Sequence, residues 1–485
     1  MTRRLLRILL RIALFLGNAV LIVFVTLILA GAYAARQGPE LEVWHRVPLG
    51  SEFRAGGGVE TLDEYLLNEK RVFEQLERVI TSQVEQDEHN ELNRFARGSR
   101  SYPERNGRNW NRSEQRVPDK IRGGVLLLHG MTDSPYSMRH FARLFHEHGF
   151  YVLNLRMPGH GTTPGELARI DWQDWMAAVR LGAADVGNRL APDQPFYIMG
   201  YSNGGSLAVK YALDSLDDTS LRIPDQLFLI SPMLGVSGLA RFGKIYYWLG
   251  KLKFFEKASW SETFPEYDPF KYNSFPMNGA RQSMALTTAI DKQLRWMANS
   301  GTLNIMPPVL TFQSLVDSTV ITDAIVTRLY NRLPANGSEL VLFDVNRVGL
   351  LEFFVSPRHD RLLNRLTGSN ALDYALTVVA NETSESLSVV ASSKQAHGST
   401  FNRQPLGLKW PENFYSMSHV ALPFPPFDEV YGFEPVAGQE PYPQIGLAQM
   451  VGENGALVFP PSLFTRARSN PFFGYIEDRL VEAID

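Results

Sequence analysis

Cysteine is absent from all 485 residues. Disulfides, thiol nucleophiles and zinc–thiolate centres are therefore excluded. An excess of one charge is lacking too. The chain has 48 Lys and Arg against 51 Asp and Glu, a net charge of -3, which leaves no basic footprint for nucleic acid. No internal repeat is evident. His140, His146, Glu147 and His148 cluster without the H-E-x-x-H spacing that sets two imidazoles on one helical face. That cluster reads as a solvated helix end, and neither a metal nor a cofactor is expected. What remains is an ordinary globular composition, 44% hydrophobic and 20% charged, with apolar residues enough for a substantial core.

One long apolar run is present. Arg3, Arg4, Arg7 and Arg11 precede or border an uncharged stretch from Ile12 to Ala35. At about 1.5 Å per residue it crosses a hydrocarbon layer about 30 Å thick. Residues 1–36 are thus expected to anchor the protein in a membrane, with the arginines cytoplasmic and the rest of the chain on the other side, the periplasm in a diderm bacterium. The alternative is a signal peptide, since Ala32-Tyr33-Ala34 offers an A-x-A cleavage pattern; against it, the run exceeds the roughly 7 to 15 residues of a signal core. Residues 37–118 read as a linker. Within it Thr61 to about Leu92 has helical spacing at Leu62, Leu66, Phe73, Leu76, Val79 and Ile80. From Arg94 to Arg122 the chain is polar and arginine-rich, with Tyr102 and Trp110 interleaved. A solvated connector is the simpler expectation there, ahead of a patch for anionic lipid or nucleic acid.

Past Gly123 the pattern changes. "GGVLLLHG", "FYVLNLRMPGHG", "PFYIMGYS", "DQLFLISPM", "PPVLTFQSLVD" and "SELVLFDVN" are short apolar runs separated by helical stretches. Near-continuous runs suit strands buried on both faces, so an α/β fold with a mostly parallel, doubly wound sheet is expected. Gly200-Tyr201-Ser202-Asn203-Gly204 then falls where a strand ends and a helix begins. Small residues on both sides of Ser202 permit a turn tight enough to push its hydroxyl into the cleft beyond the strand ends.

A serine hydroxyl needs a base, and the base needs a carboxylate to orient it. Three histidines follow Ser202: His359, His397 and His419. His419 sits in the small-His-apolar context "SMSHVAL" and is preferred; His397 lies in polar "KQAHGST", and His359 starts a charged helix. Asp317 ends the strand "VLTFQSLVD" and is the preferred acid, with Asp323 and Asp344 as substitutes. The oxyanion of a tetrahedral intermediate needs two donors, and the backbone N–H groups of Asn203 and Met131 are candidates. His129, just before Met131, is read as a structural histidine that fixes its loop.

Four blocks stand in order: "LLLHGMTDSP", "RMPGHGTTPGELARIDWQDW", "GYSNGG" and "SLVDSTV". Together they resemble the α/β-hydrolase superfamily, and within it the branch of monoacylglycerol lipases and bacterial carboxylesterases. The resemblance covers roughly Val117 to Ala335 and resumes around "FYSMSHVALPFPP". It implies an α/β-hydrolase domain over residues 119–485, with a helical cap at about 235–305, rich in aromatics. It departs from the family pattern by an insertion at about 347–405, where "YALTVVANETSESLSVVASS" reads as an added β-hairpin that leaves the sheet and returns. The implied activity is hydrolysis of carboxylic esters, with a small-molecule or lipid ester as substrate. A thioesterase, amidase or acyltransferase would use the same residues, and a catalytically silent module binding a lipid or protein is the alternative from another class.

Overall fold

The computed structural model describes residues 2–84, 91–235, 243–317, 319–434, 442–447 and 465–485. Helix α1 (Thr2–Arg36) holds the apolar run, and its stretch Arg7–Ala34 is long and apolar enough to cross a membrane, with a mean hydropathy of 2.8. Helix α2 (Leu62–Leu76) starts in a capping box in which Thr61 and Glu64 satisfy each other's backbone N–H groups. It continues through a π-helical turn at Glu77–Thr81 to Val84.

Ten strands form the central sheet among the described residues. Along the chain they are β1 (Glu114–Arg116), β2 (Gly123–Leu128), β3 (Phe150–Leu155), β4 (Phe196–Tyr201), β5 (Gln226–Ile230), then β8 (Val309–Ser314), β9 (Glu339–Phe343), β10 (Ala375–Asn381), β11 (Ser388–Lys394) and β12 (Asn402–Lys409). Two short pairs stand apart: β6 (Trp260–Glu262) with β7 (Phe275–Pro276), and β13 (Phe414–Met417) with β14 (Thr465–Ala467). The order in space is β1-β3-β2-β4-β5-β8-β9-β10-β11-β12, parallel from β3 through β10.

The apolar runs make this sheet because successive side chains point to opposite faces and both faces are covered. Leu126 and Leu128 of β2 enter one core, shared with α4 (Trp172–Asn188) and α5 (Asn203–Asp217). Val125 and Leu127 enter the other, with Phe141 and Phe145 of α3 (Arg139–Glu147) and Ile476 and Leu480 of the last helix, Phe473–Ile484. Each fully buried Leu or Ile contributes roughly 1.5–3 kcal/mol. The stretch expected as a cap carries α6 (Gly243–Leu249), a 3-10 stretch at Lys253–Ser259, the β6–β7 pair and α7 (Met277–Ser300); its residues 236–242 lie outside the described ones.

Two expectations are revised. The hairpin β10–β11 does not leave the sheet. β10 pairs in parallel with β9, Leu376 opposite Leu340, and β11 and β12 continue antiparallel to the edge. Val378 and Val379 alternate between the two cores, so the strand has the apolar faces that an interior position requires. Pro405 lies in the edge strand, where a missing N–H costs least.

Nor is the stretch from Arg94 to Arg122 a solvated connector. Arg94 is 2% exposed, its backbone N–H donates to Glu266 O, and one guanidinium nitrogen donates to Gly161 O at 3.3 Å. Ser101 Oγ donates to Tyr267 O and Asn111 Nδ2 to Pro269 O. Polar side chains here satisfy buried carbonyls instead of water. Trp44, Phe73, Ile80 and Phe95 form the middle of a separate core upstream of the sheet, and β1 extends the sheet beside β3.

Candidate active site

β4 brings the chain to Ser202, and α5 leaves immediately after it. Ser202 has φ 52° and ψ -113°, a left-handed conformation rare for a residue with a side chain. Two glycines make the turn possible. A Cβ on Gly200 would collide with the Gly204 carbonyl, and one on Gly204 with the Leu128 carbonyl. Hydrogen bonds to the adjoining strand hold the strained residue in place. Ser202 N–H donates to Ile230 O and Met233 N–H donates to Ser202 O, both at 2.9 Å.

His419 opens a short 3-10 turn just after β13, where Ser418 Oγ donates to Ala467 O at 2.9 Å. Its Nε2 lies 3.0 Å from Ser202 Oγ and its Nδ1 2.9 Å from Asp317 Oδ2. A carboxylate only accepts, so Nδ1 carries the proton and Nε2 is left to accept from the serine. Asp317 is fixed in turn. Its Oδ1 accepts the Thr319 and Val320 N–H groups at 2.9 Å, and Gln313 Nε2 donates to Oδ2 at 3.2 Å. Tyr201 stacks against the imidazole at 5.5 Å.

The structure thus brings together Ser202, Asp317 and His419 and leaves the rivals elsewhere. His397 is largely exposed and faces Asp373 at 3.4 Å, and His359 lies in the helix Pro357–Thr367. Asp323 pairs with Arg365 and Asp344 with Arg347. Among the described residues, neither the Met131 nor the Asn203 N–H has a protein acceptor. His129 is buried, and burial holds its pKa well below the ordinary value. As a neutral ring it donates from Nδ1 to Gly130 O and accepts the Met157 N–H at Nε2, both at 2.9 Å.

A cavity of about 380 Å³ is lined by Thr132 and Val420, the sequence neighbours of Met131 and His419, together with Phe264, Lys271, Tyr272 and Phe275. Burial pushes Asp133, next to Thr132, up to about 6, with Lys271 at 3.8 Å opposing the shift. A larger cavity of about 760 Å³ lies between Trp44 and Phe264, and Ser202, Asp317 and His419 line neither of the two.

Two buried charge clusters escape a reading of the sequence. Arg156, fully buried, is held by Glu52 at 2.9 Å and Glu69 at 3.1 Å, and Tyr65 Oη donates to its carbonyl at 2.6 Å. An arginine ending the apolar run "FYVLNLR" signals a partner, but the acids lie far upstream. Asp428 accepts from Arg139 at 2.7 Å, Tyr136 Oη at 3.0 Å and the Val430 and Tyr431 N–H groups. Burial opposes its ionisation, yet Arg139 and the hydrogen bonds, one of them with His140, hold its carboxyl far below the usual range. His140 is 7% exposed and belongs to this cluster, so the solvated helix end expected there does not include it. Among the described residues, no group of three or more His, Asp or Glu is placed to hold a metal.

A mostly parallel, doubly covered sheet with a strained serine turn after a central strand is an α/β-hydrolase fold. Residues 119–343 match the hydrolase family described as serine aminopeptidase, S33. The thermostable monoacylglycerol lipase of Bacillus sp. (strain H-257) is 37% identical over 89 residues, which are 18% of this chain and 34% of that lipase. The chain therefore spans about a third of the length of this curated relative. Among solved structures, the monoacylglycerol lipase of Paleococcus ferrophilus is 17% identical at a TM-score of 0.36, covering 48% of this chain and 88% of that one. A carboxyl esterase from Bacillus coagulans is 16% identical at a TM-score of 0.36, covering 48% and 84%.

Proposed function

We propose that the protein is a membrane-anchored serine hydrolase that cleaves carboxylic esters of acyl chains. The observation that carries this reading is the line of two hydrogen bonds, 3.0 and 2.9 Å, from Ser202 through His419 to Asp317. Ser202 Oγ attacks the ester carbonyl while His419 Nε2 takes its proton. Asp317 holds the ring and stabilises the imidazolium. The oxyanion sits against the N–H groups of Met131 and Asn203, each such donor being worth about 3 kcal/mol of barrier. His419 then protonates the leaving alkoxide, the acyl chain remains on Ser202, and water activated by the same histidine releases it as a carboxylic acid. No step needs a cofactor.

The partial likeness to a monoacylglycerol lipase supports an ester over an amide, although the matched family carries an aminopeptidase description. Phe264, Phe275 and Phe424 on the cavity wall suit an acyl chain. In the same reading, residues 1–36 remain as the anchor with the catalytic part on the non-cytoplasmic side, residues 235–305 serve as the cap, and 347–405 are an insertion. A panel of p-nitrophenyl esters of increasing acyl length, with a fluorophosphonate probe, tests the activity. Wild type should hydrolyse and label while Ser202→Ala does neither. Equal labelling of the two proteins would sink the reading and favour the silent module.

A further inference from the structure

Helix α1 does not leave the folded part freely. Ala32 is fully buried. Tyr246 of α6 sets its hydroxyl in the space that a Cβ on Gly31 would occupy. The Arg36 guanidinium lies 4.0 Å over the Phe254 ring, and Lys257 Nζ donates to Gly38 O and Glu40 Oε1, both at 2.8 Å. The end of the apolar helix and the start of the cap region are packed as one piece.

That packing fixes a depth. Gly31 precedes the end of the apolar stretch at Ala34 by about 4.5 Å along the helix. Tyr246 therefore sits at the level where hydrocarbon gives way to headgroups. Trp248, Leu252 and Phe254, within the same segment as Tyr246, are 58%, 57% and 56% exposed. Lys251 lies between them, its ammonium 4.7 Å from the Trp248 ring and 5.0 Å from that of Tyr247, and Lys253 separates Leu252 from Phe254. Aromatic rings interleaved with lysines whose charges reach toward water compose the belt at a membrane–water boundary.

We propose that residues 243–259 are a second membrane-contacting element, and that the bilayer in which α1 ends covers Trp248, Leu252 and Phe254. The proposal rests on the reading of α1 as a membrane span. The chain runs from this face into Glu262 and Phe264, which line the same cavity as Val420, the residue after His419. The ester site is thereby held at the lipid surface, and esters residing in that leaflet reach it without crossing water.

The absence of cysteine makes the test clean. Single Leu252→Cys and Val117→Cys variants of the full chain carry a nitroxide label in nanodiscs of phosphatidylcholine and phosphatidylglycerol. Val117 is a 60% exposed position ahead of β2 and serves as the aqueous reference. The label at 252 should collide with oxygen and be shielded from a water-soluble nickel chelate, and the label at 117 should show the reverse. Carbonate extraction of native membranes separates the two ideas. Protein retained in the pellet, with both labels equally open to nickel, overturns the cap contact and leaves the anchor standing. Protein released by carbonate removes the anchor and the cap contact with it. In a second readout, the triple variant Trp248→Ser, Leu252→Ser, Phe254→Ser should lose at least about tenfold in hydrolysis of a long-chain ester embedded in vesicles. It should stay within about twofold on a water-soluble short ester. Equal effects on the two substrates count against the proposal.

Discussion

Replacing Asp317 by asparagine changes almost no volume, and the surroundings dictate which way the new amide faces. Oδ1 of Asp317 accepts two backbone N–H groups, from Thr319 and Val320, at 2.9 Å. Turning an NH2 toward them would set donor against donor twice, so the amide oxygen stays there. The NH2 must then occupy the place of Oδ2 and donate to His419 Nδ1, now 2.9 Å away. That forces the other tautomer, with the proton on Nε2, and a protonated Nε2 cannot take the serine's proton. Gln313 Nε2, 3.2 Å from Oδ2, loses that one acceptor but keeps Ser314 O at 3.1 Å and Thr322 Oγ1 at 3.0 Å. The fold should therefore survive while kcat falls about 10⁴-fold, or about 5 kcal/mol of barrier. Steady-state hydrolysis of a p-nitrophenyl ester measures the loss, and thermal unfolding checks that the protein is intact. Retention of more than about a tenth of kcat by a folded Asp317→Asn would refute both the tautomer reasoning and the orienting role.

Gly204→Ala should destabilise by about 2–3 kcal/mol in urea unfolding, since the new methyl meets the Leu128 carbonyl backbone, which cannot swing aside. Arg156→Met should cost about 3–5 kcal/mol in the same assay, because Glu52 and Glu69 are left buried without their cation; adding Glu52→Gln and Glu69→Gln should recover part of it. Burial raises the pKa of Asp133 to about 6, so the folded state holds its proton more tightly than the unfolded state does. Its contribution to stability is therefore lost as pH rises between about 4 and 6, by as much as about 3 kcal/mol, and Asp133→Asn should flatten that slope in pH-dependent unfolding. Deleting residues 2–36 should yield a soluble, active enzyme, whereas deleting 2–117 should yield aggregated protein, since Arg156 then loses both acids and the sheet loses β1; recovery of active enzyme from the longer deletion would show that the upstream segment is dispensable.

What the sequence discloses and what it hides divide along the chain distance of the interactions. The strands β2, β4, β5 and β8 are continuous apolar runs because both faces are buried, and that pattern is local. The elbow at Ser202 is equally local, since Gly200 and Gly204 flank it within one turn. The position of His419 is legible from its small, apolar neighbours even though 217 residues separate it from Ser202. Polar residues whose partners lie far away leave no such trace. Nothing in "RFARGSRSYPERNGRNWNR" tells Arg94, paired with buried carbonyls, from an arginine in water. The hairpin at 375–394 was recognisable as strands, but its place beside β9 depends on a registry that only the whole sheet sets.

The upstream segment does more than cover apolar surface. Glu52 and Glu69 hold the Arg156 guanidinium, and Arg156 Nη1 donates to His160 O at 2.8 Å, which fixes the loop after β3. The residue after Arg156 is Met157, whose N–H donates to His129 Nε2. The same ring donates from Nδ1 to the Gly130 carbonyl. In a planar trans peptide the C=O of one residue and the N–H of the next point in opposite directions. Fixing the Gly130 carbonyl therefore fixes the aim of the Met131 N–H, the proposed oxyanion donor. The arrangement works only while His129 is neutral, because a protonated Nε2 would face the Met157 N–H donor to donor. Burial, reinforced by His160 and the Arg156 charge, keeps the proton off. Two glutamates outside the region that matches the hydrolase family thus act, through a buried arginine and a neutral histidine, on the direction of the Met131 N–H.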